Sequence, residues 1–570
     1  MHTDLLKPQS LITRKYLELV LALLVLCVAT WLPRSRGLYL YVTTDEHLWL
    51  TRSAQFYYAI LHQDYATTYQ KEHPGVTIMW AGAAGFAQVA PRFRDRPVMQ
   101  LNVEQFANYI SLVDDYSFLK ILVAGRSILI LANTIALALI FLYARRLVGT
   151  VPALLGSLLI ALDPFHLALT RLLHPDGLLS SLMLLTMLAF LSYCQQRRVL
   201  DLIISGVVAG LTWLTKSPGF VLIPIVGLVA CWVIWSNSSE ADRQKSIPRR
   251  FWDVAWPLLV WGIVGVAVFV VAFPAMWVRP VQTISSVLGM AERYAQAGHD
   301  SAVFFNGKII ESGKMGLEYW YFYPITFLWR STPLLLFGLP LAFWGFLKKR
   351  NPFDQAGGSL VMRGLLLLAI VFILMMTLGS KKFDRYLLPI YPPLDLLAGM
   401  GWFALANGLA GSKRSTILRF STLLVASAVT IAQALLSLNT FPYYLSYYNP
   451  LMGGSRVAPR VMQIGWGEGL DQAARYLKEK DQARKLRLLS WYALGSVSYY
   501  FPGEVRYMGS DQAAEEHDWE KLRSSDYAIV YINQWQRHLP APILDYLKQK
   551  PVEHSVWING IEYARIYKLP

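Results

Sequence analysis

The chain has 570 residues, 55% of them hydrophobic and 16% charged, with 53 Lys and Arg against 37 Asp and Glu and a net charge of +16. That composition excludes an ordinary soluble globular protein and indicates a polytopic membrane protein. The excess of base is read as a topology signal rather than a nucleic-acid footprint, because Lys and Arg accumulate in loops that stay in the cytoplasm. No nucleic-acid partner is expected, and membrane lipids are the solvent.

The first apolar run, Tyr16 to Leu32, has no small-residue cleavage site and is followed by Pro33, Arg34 and Arg36, so it is read as a retained helix. Further runs lie near residues 119–143, 147–163, 177–194, 199–215, 219–236, 251–275, 325–347, 359–378, 387–408 and 416–438. With the first, they make about eleven spans of the length a bilayer needs. Cys27, Cys194 and Cys231 sit in or at the ends of such runs, without the spacing of a metal site or a disulfide framework.

Basic clusters fall in every second connection: Arg14 and Lys15, Arg145 and Arg146, Arg197 and Arg198, Arg243 to Arg250, Lys348 to Arg350, and Lys413 with Arg414. One alternating threading accommodates them all, with these connections cytoplasmic. The outer face then receives a long first loop, residues 34–118, the segments 164–176, 216–218, 276–324 and 379–386, and everything after about 439. The Asn237 sequon falls inside and is uninformative.

From about residue 450 the charge rises and apolar runs shorten to strand length, as in "LRLLSW", "DYAIVYI" and "YARIYKL". Helix-like stretches, "GLDQAARYLKEK" and "APILDYLKQK", lie between them. The expected fold is an all-α polytopic membrane domain over residues 1–445, followed by a small extracytoplasmic α/β domain over 446–570.

Ionisable residues at membrane depth or at its boundary mark function or paired structural charge. On the predicted outer face they form mixed groups. In "YVTTDEHLWL", Asp45 and Glu46 follow the first span, and Asp45 is either the cap of a helix starting at Glu46 or a general base. In "YQKEHPGVTIMW", Glu72 and His73 precede Pro74-Gly75, which opens a short amphipathic helix along the surface; the pair either binds a substrate or metal or serves the helix start. In "LDPFHLALTRLLHPDG", Arg171 and His174 share a face if the segment is helical, and Asp176 opens the next span. Lys216 in "WLTKSPG", and Lys381, Lys382 and Arg385 in "GSKKFDRYLLPIYPPL", break the positive-inside trend. A phosphate at the outer surface accounts for them, with Lys382 read as snorkelling to headgroups.

The order of these features resembles the GT-C membrane glycosyltransferases, specifically glycosyltransferase family 39, which includes the protein O-mannosyltransferases and the bacterial lipid A aminoarabinose transferases. The resemblance spans roughly residues 16–440, and "YYLSYYNPLMGG…IGWGEGLDQAARYL" is similar to prokaryotic members with an outer C-terminal domain. It implies an inverting enzyme of a bacterial or archaeal cell membrane, moving a sugar from a polyprenyl-phosphate donor to a lipid, glycan or protein acceptor. Asp45 would be the base, with Glu46 shaping the site, and Lys216, Lys381 and Arg385 would meet the phosphate. Glu72, His73, Arg171, His174, Asp176 and Tyr386 are the further substrate-site candidates. Some relatives use a metal; Glu72, His73 and His299 are the candidate ligands here, and no spacing demands one. Trp49, Trp80, Trp320, Tyr321, Tyr323 and Trp329 fit a sugar site or an interfacial belt. No segment has room for the β-trefoil of the protein O-mannosyltransferases. A ligase or polymerase of surface polysaccharide shares the same lipid-linked substrate. A transporter or flippase would need midplane charges or broken helices, and the sequence reads as continuous spans.

Overall fold

The computed structural model describes residues 7–71, 74–91, 117–236, 247–296, 298–299, 301–409, 416–509 and 516–570. The protein is an all-α polytopic membrane protein with a small C-terminal sheet. Helices α1 (Lys7–Ser35), α2 (Glu46–Leu61), α3 (Val76–Val89), α4 (Phe118–Val148), α5 (Thr150–Leu162), α6 (Pro164–Thr170), α7 (Pro175–Gln196), α8 (Val199–Thr215), α9 (Leu222–Ser236) and α10 (Ile247–Ala272) form the first half. The second half has α11 (Pro280–Gln296), α12 (Phe322–Arg330), α13 (Pro333–Leu347), α14 (Ala356–Leu378), α15 (Tyr391–Leu409) and α16 (Thr416–Leu438).

Every apolar run read from the sequence falls in helical backbone, but the span count differs. Among the described residues, six helices are long and apolar enough to cross a membrane, or eight if each of two bent pairs is one span. The remaining runs are α8 and α9, which are shorter, and α15, which carries the fully buried Asp395.

Of the two bent pairs, the sequence ends the first span at 163 and places 164–176 outside it, whereas the second, 325–347, was expected as one continuous span. Both break at proline. Between α5 and α6 the axis turns by 64°, with Asp163 accepting the His166 N–H at 2.7 Å and Pro164 opening the new helix. Between residues 317–330 and α13 it turns by 108°, with Thr332 accepting the Leu335 N–H at 3.2 Å ahead of Pro333. Proline removes the donor that would continue the first helix and suits the first turn of the second, while the residue before it supplies the cap.

Helix α15 is packed through small residues. A Cβ at Gly399 would lie 2.4 Å from the backbone of Gly156 in α5, so the two helices meet backbone to backbone, as apolar surroundings favour. Helix α3 departs from the expected surface helix: most of its residues are buried, with Gly85 against the backbone of Gly125 in α4. Its start is fixed by Gly75, at φ +56°, where any Cβ would overlap the Trp49 ring.

The C-terminal region holds helices α17 (Leu470–Lys478), α18 (Glu516–Arg523), α19 (Ile532–Arg537) and α20 (Ala541–Leu547). A short hairpin, β1 (Val303–Phe305) and β2 (Lys308–Ile310), precedes it; the main strands are β3 (Arg487–Ser490), β4 (Glu504–Tyr507), β5 (Tyr527–Tyr531), β6 (His554–Ile558) and β7 (Ile561–Lys568). Their order is β4-β3-β5-β7-β6, the first three parallel and the last two antiparallel. All three strand-like runs read from the sequence are strands. The sheet shares one continuous apolar core with the membrane helices, and Tyr499 stacks on Phe118 at the start of α4, with ring centroids 5.0 Å apart. This packing holds the loop before α17 against the end of the bundle where Asp45 sits.

Candidate active site

Helix α2 begins at Glu46, and Asp45 occupies its N-cap position, yet the Asp45 side chain makes no capping bond. The local structural work falls to Glu46. Its carboxylate is fully buried and accepts from Arg126 Nε at 2.7 Å and Nη2 at 2.5 Å, from the Thr43 N–H at 3.0 Å and from the Leu173 N–H at 2.8 Å. One carboxylate thus ties together the chain before α2, helix α4 and the turn before α7. Asp45 is left turned outward, its side chain 30% exposed.

Asp45 Oδ2 lies 3.5 Å from His174 Nε2 and 3.4 Å from Arg385 Nη2. Burial raises the Asp45 carboxyl, but the His174 hydrogen bond and the Arg385 charge outweigh it and hold the group well below the usual carboxylate range. His174 caps α7 ahead of Pro175, its Nδ1 3.5 Å from Asp176 Oδ2. Asp176 accepts from Lys216 Nζ at 2.6 Å and lies 3.7 Å from Arg385 Nε. Lys216, where α8 gives way to Ser217-Pro218, also sits 4.3 Å above the Tyr386 ring. Two carboxylates therefore face two fixed cations and an imidazole contributed by four helix ends and turns.

The third side comes from residues 465–469, "GWGEG". Gly465, Gly467 and Gly469 all have positive φ, and a Cβ on Gly467 would meet the Val42 carbonyl at 2.5 Å. These glycines let the loop press against the segment before Asp45 and carry Trp466 inward. The Trp466 ring lies 4.4 Å from the Arg385 guanidinium, which has Phe383 at 4.2 Å, and meets His174 edge-on at 4.9 Å. Cation–π contacts of this kind hold an arginine without consuming its hydrogen-bond donors.

Three cavities meet at Arg385. The first, 380 Å³, is cationic: Arg52, Lys71, Lys216, Lys381 and Arg385 line it against Asp45, with Trp49, His174 and Tyr386. The second, 190 Å³, is an apolar groove between Phe372, Met375 and Met376 of α14, Leu179 of α7 and Pro218, with Lys216 and Arg385 at its end. The third, 310 Å³, runs from Asp45 and Arg385 to the C-terminal region, where Trp466, Trp491, Tyr492 and Arg537 line it. Asp45 borders both the cationic and the third cavity. A charged group with an apolar tail fits the first two together, and a polar ring compound fits the third.

Of the candidates from the sequence, Asp45, His174, Asp176, Lys216, Lys381, Arg385 and Tyr386 converge. Others do not. Glu46, expected to shape the site beside Asp45, lines none of these cavities and acts on it through its ion pair with Arg126. Arg171 does not share a face with His174, because α6 ends at Thr170; its guanidinium is buried and bonds the carbonyls of Arg36 and Pro442. Glu72 and His73 lie outside the described residues. His299 Nε2 faces the Lys382 peptide, 3.0 Å from its N–H and 2.8 Å from its carbonyl oxygen, rather than a ligand set. Among the described residues no group of three His, Cys, Asp or Glu is placed to hold a metal ion. Lys382 does not snorkel: it is fully buried and donates to the carbonyls of Thr377 at 2.9 Å and Gly379. Of the predicted sugar-site aromatics, Trp49 borders the cationic cavity, while Trp80 lines a separate apolar groove. Arg52, Lys71, Trp466, Trp491, Tyr492 and Arg537 were not singled out from the sequence.

Residues 118–274, which supply His174, Asp176 and Lys216, match the family model of dolichyl-phosphate-mannose-protein mannosyltransferases. Over this span the chain is similar to a glycosyltransferase family. No curated protein matches the sequence. Among solved structures, ArnT from Cupriavidus metallidurans is 12% identical with a TM-score of 0.47, covering 98% of each chain. The Archaeoglobus fulgidus oligosaccharyltransferase is 11% identical with a TM-score of 0.46, covering 96% of this chain and 74% of that one. The S. cerevisiae protein O-mannosyltransferase Pmt1-Pmt2 complex gives 18% identity and a TM-score of 0.34 over 47% of this chain and 34% of that one. The family match ends before Arg385 and begins after Asp45, so the glycosyltransferase similarity covers only one wall of the site.

Two outcomes test this geometry. Glu46→Ala leaves Arg126 buried without its partner and lowers stability by about 3–5 kcal/mol, read as a drop in the melting temperature of detergent-solubilised protein; lost turnover at an unchanged melting temperature would return Glu46 to the chemistry. Burial, opposed by Asp45, lowers His47 from 6.5 to about 4. Between those values the unfolded chain binds the extra proton, so stability is lost as pH falls from 6.5 towards 4. In His47→Gln the fall in melting temperature between neutral and acid pH should be smaller than in the parent; an equal fall assigns the acid sensitivity elsewhere.

Proposed function

We propose that the protein is an inverting glycosyltransferase that moves a sugar from a polyprenyl-phosphate donor to an acceptor hydroxyl at the outer face of the membrane. The observation that carries this reading is the meeting of the cationic cavity, the apolar groove and the third cavity at Arg385, with Asp45 bordering two of them. The donor phosphate sits on Arg385, Lys216 and Lys381, its prenyl chain in the groove beside α14. The acceptor enters through the third cavity. The family match over residues 118–274 supports the same reaction class.

In this mechanism the acceptor hydroxyl gives its proton to Asp45 as its oxygen bonds to the anomeric carbon from the face opposite the lipid. The bond from that carbon to the phosphate oxygen breaks, and its electron pair leaves on polyprenyl phosphate. Arg385 and Lys216 are preorganised for the charge that develops there, which is where electrostatic catalysis is strongest. Without a phosphate, His174 and Arg385 make Asp45 a weak base. A bound phosphate shares the Arg385 charge and restores basicity to Asp45 when donor is present. His174 and Asp176 position the pair.

In the same reading, residues 1–445 form the transferase unit and 446–570 an extracytoplasmic domain that closes over the acceptor. The broken helices that would suggest a transporter serve the site instead, since the break between α5 and α6 leads into the turn that presents His174 and Asp176.

The test uses full-length protein, a panel of radiolabelled polyprenyl-phosphate sugars and a membrane glycolipid extract as acceptor, following release of polyprenyl phosphate. For the sugar that the parent accepts, Asp45→Asn should lower turnover by about 10²–10⁴-fold and leave polyprenyl-phosphate binding in place. Full turnover in that variant would overturn the assignment of the base.

A further inference from the structure

Arg537 closes α19 in the wall of the third cavity and is 7% exposed. Its Nε donates to the Asn533 carbonyl at 2.9 Å, and its Nη1 to Ser301 Oγ at 3.1 Å and the Ala302 carbonyl at 3.2 Å. The guanidinium centre stands 4.7 Å from the Trp491 ring, with the Tyr492 phenol beside it. Among the described residues no carboxylate pairs with it. The other arginines of this cavity are compensated, Arg330 by Asp384 at 2.6 Å and Arg385 by Asp45 and Asp176. Arg34 and Arg171 are also bonded to neutral groups, but they line none of the cavities at the site.

A guanidinium taken out of water gains little from neutral carbonyls compared with a carboxylate or phosphate, which it meets in a bidentate fork. Stacking on Trp491 orients that fork without neutralising it. Burial lowers the tendency of Arg537 to hold its proton, and the Tyr492 phenol opposes this only in part. Among the described residues nothing supplies the balancing charge, which leaves it to the occupant of the cavity. That occupant faces aromatic rings, suited to the apolar face of a sugar ring, and shares its cavity with Asp45.

We propose that the third cavity takes a carbohydrate acceptor bearing an anionic substituent, a carboxylate or phosphate ester, which pairs with Arg537 while an acceptor hydroxyl meets Asp45. This rests on the glycosyltransferase reading, in which the donor's own charge is met by Lys216, Lys381 and Arg385 on the other side of Asp45. Arg537 is thus the specificity-determining residue for the acceptor.

The experiment titrates detergent-purified full-length protein, followed by tryptophan fluorescence, with methyl glucuronide, methyl glucoside, glucose 6-phosphate and inorganic phosphate. Separate titrations use polyprenyl phosphate. The two anionic sugars should bind about tenfold or more tightly than the neutral glucoside. Arg537→Gln should remove that preference while leaving the glucoside and polyprenyl-phosphate affinities unchanged; Arg537→Lys should keep part of it. If the Gln variant does not fold, the Lys variant and the weakening of the preference by salt carry the test. Equal binding of all sugars, no binding of any, or a preference that survives Arg537→Gln would overturn the proposal. So would anionic sugars displaced by polyprenyl phosphate, which would put the anion in the donor cavity. Failure of the donor reading is separate: polyprenyl phosphate would then bind no more weakly to Arg385→Gln than to the parent.

Discussion

Arg385 is held from every side at once. Asp45 and Asp176 supply the counter-charge, and the rings of Phe383, Trp466 and Tyr386 surround the guanidinium. These partners come from the start of α2, the start of α7, the segment before α15 and the loop before α17. A charge this buried, 14% exposed, is costly unless paired and hydrogen-bonded. The four segments therefore have to assemble together, and the cavities between them meet at the one residue they share. In the glycosyltransferase reading, a donor phosphate bound at Arg385 would relax that pairing.

The backbone devices that bring these segments together are local. Asp163-Pro164 ends α5 early and lets the chain turn through residues 171–174 before Pro175 restarts it. Ser217-Pro218 stops α8 at Lys216. The three positive-φ glycines around Trp466 let a C-terminal loop touch the chain ahead of Asp45. Glu46 then fixes the opposite wall by gathering Arg126, Thr43 and Leu173 on one carboxylate. Each device puts a polar side chain where a helix ends, which is where backbone donors and acceptors are unsatisfied and polar groups are cheapest to place.

The membrane helices were legible because long apolar runs report them residue by residue. The number of full spans was less so, since helices as short as α8 and as polar as α15 read like spans in a window that ignores burial. At the site, Asp45, His174, Asp176, Lys216 and Arg385 stood out because each is an ionisable residue at the edge of an apolar run. Trp466 lies in the C-terminal region, in a stretch marked by a resemblance and three closely spaced glycines, neither of which says that its ring reaches Arg385. Arg52 and Lys71 are ordinary surface charges until the fold closes around them. Arg171 misled for the opposite reason: it lies three residues from His174, which lines the site, but the chain turns between them, so one faces the site and the other the core.

The most direct test of the central claim is an experimental structure of the full-length protein with bound polyprenyl phosphate. The account predicts the phosphate within hydrogen-bond distance of Arg385 and Lys216, the prenyl chain along Phe372, Met375 and Met376, and Asp45 facing away from the lipid into the cavity lined by Trp466. A phosphate bound elsewhere, with Arg385 still paired to Asp45, would contradict it.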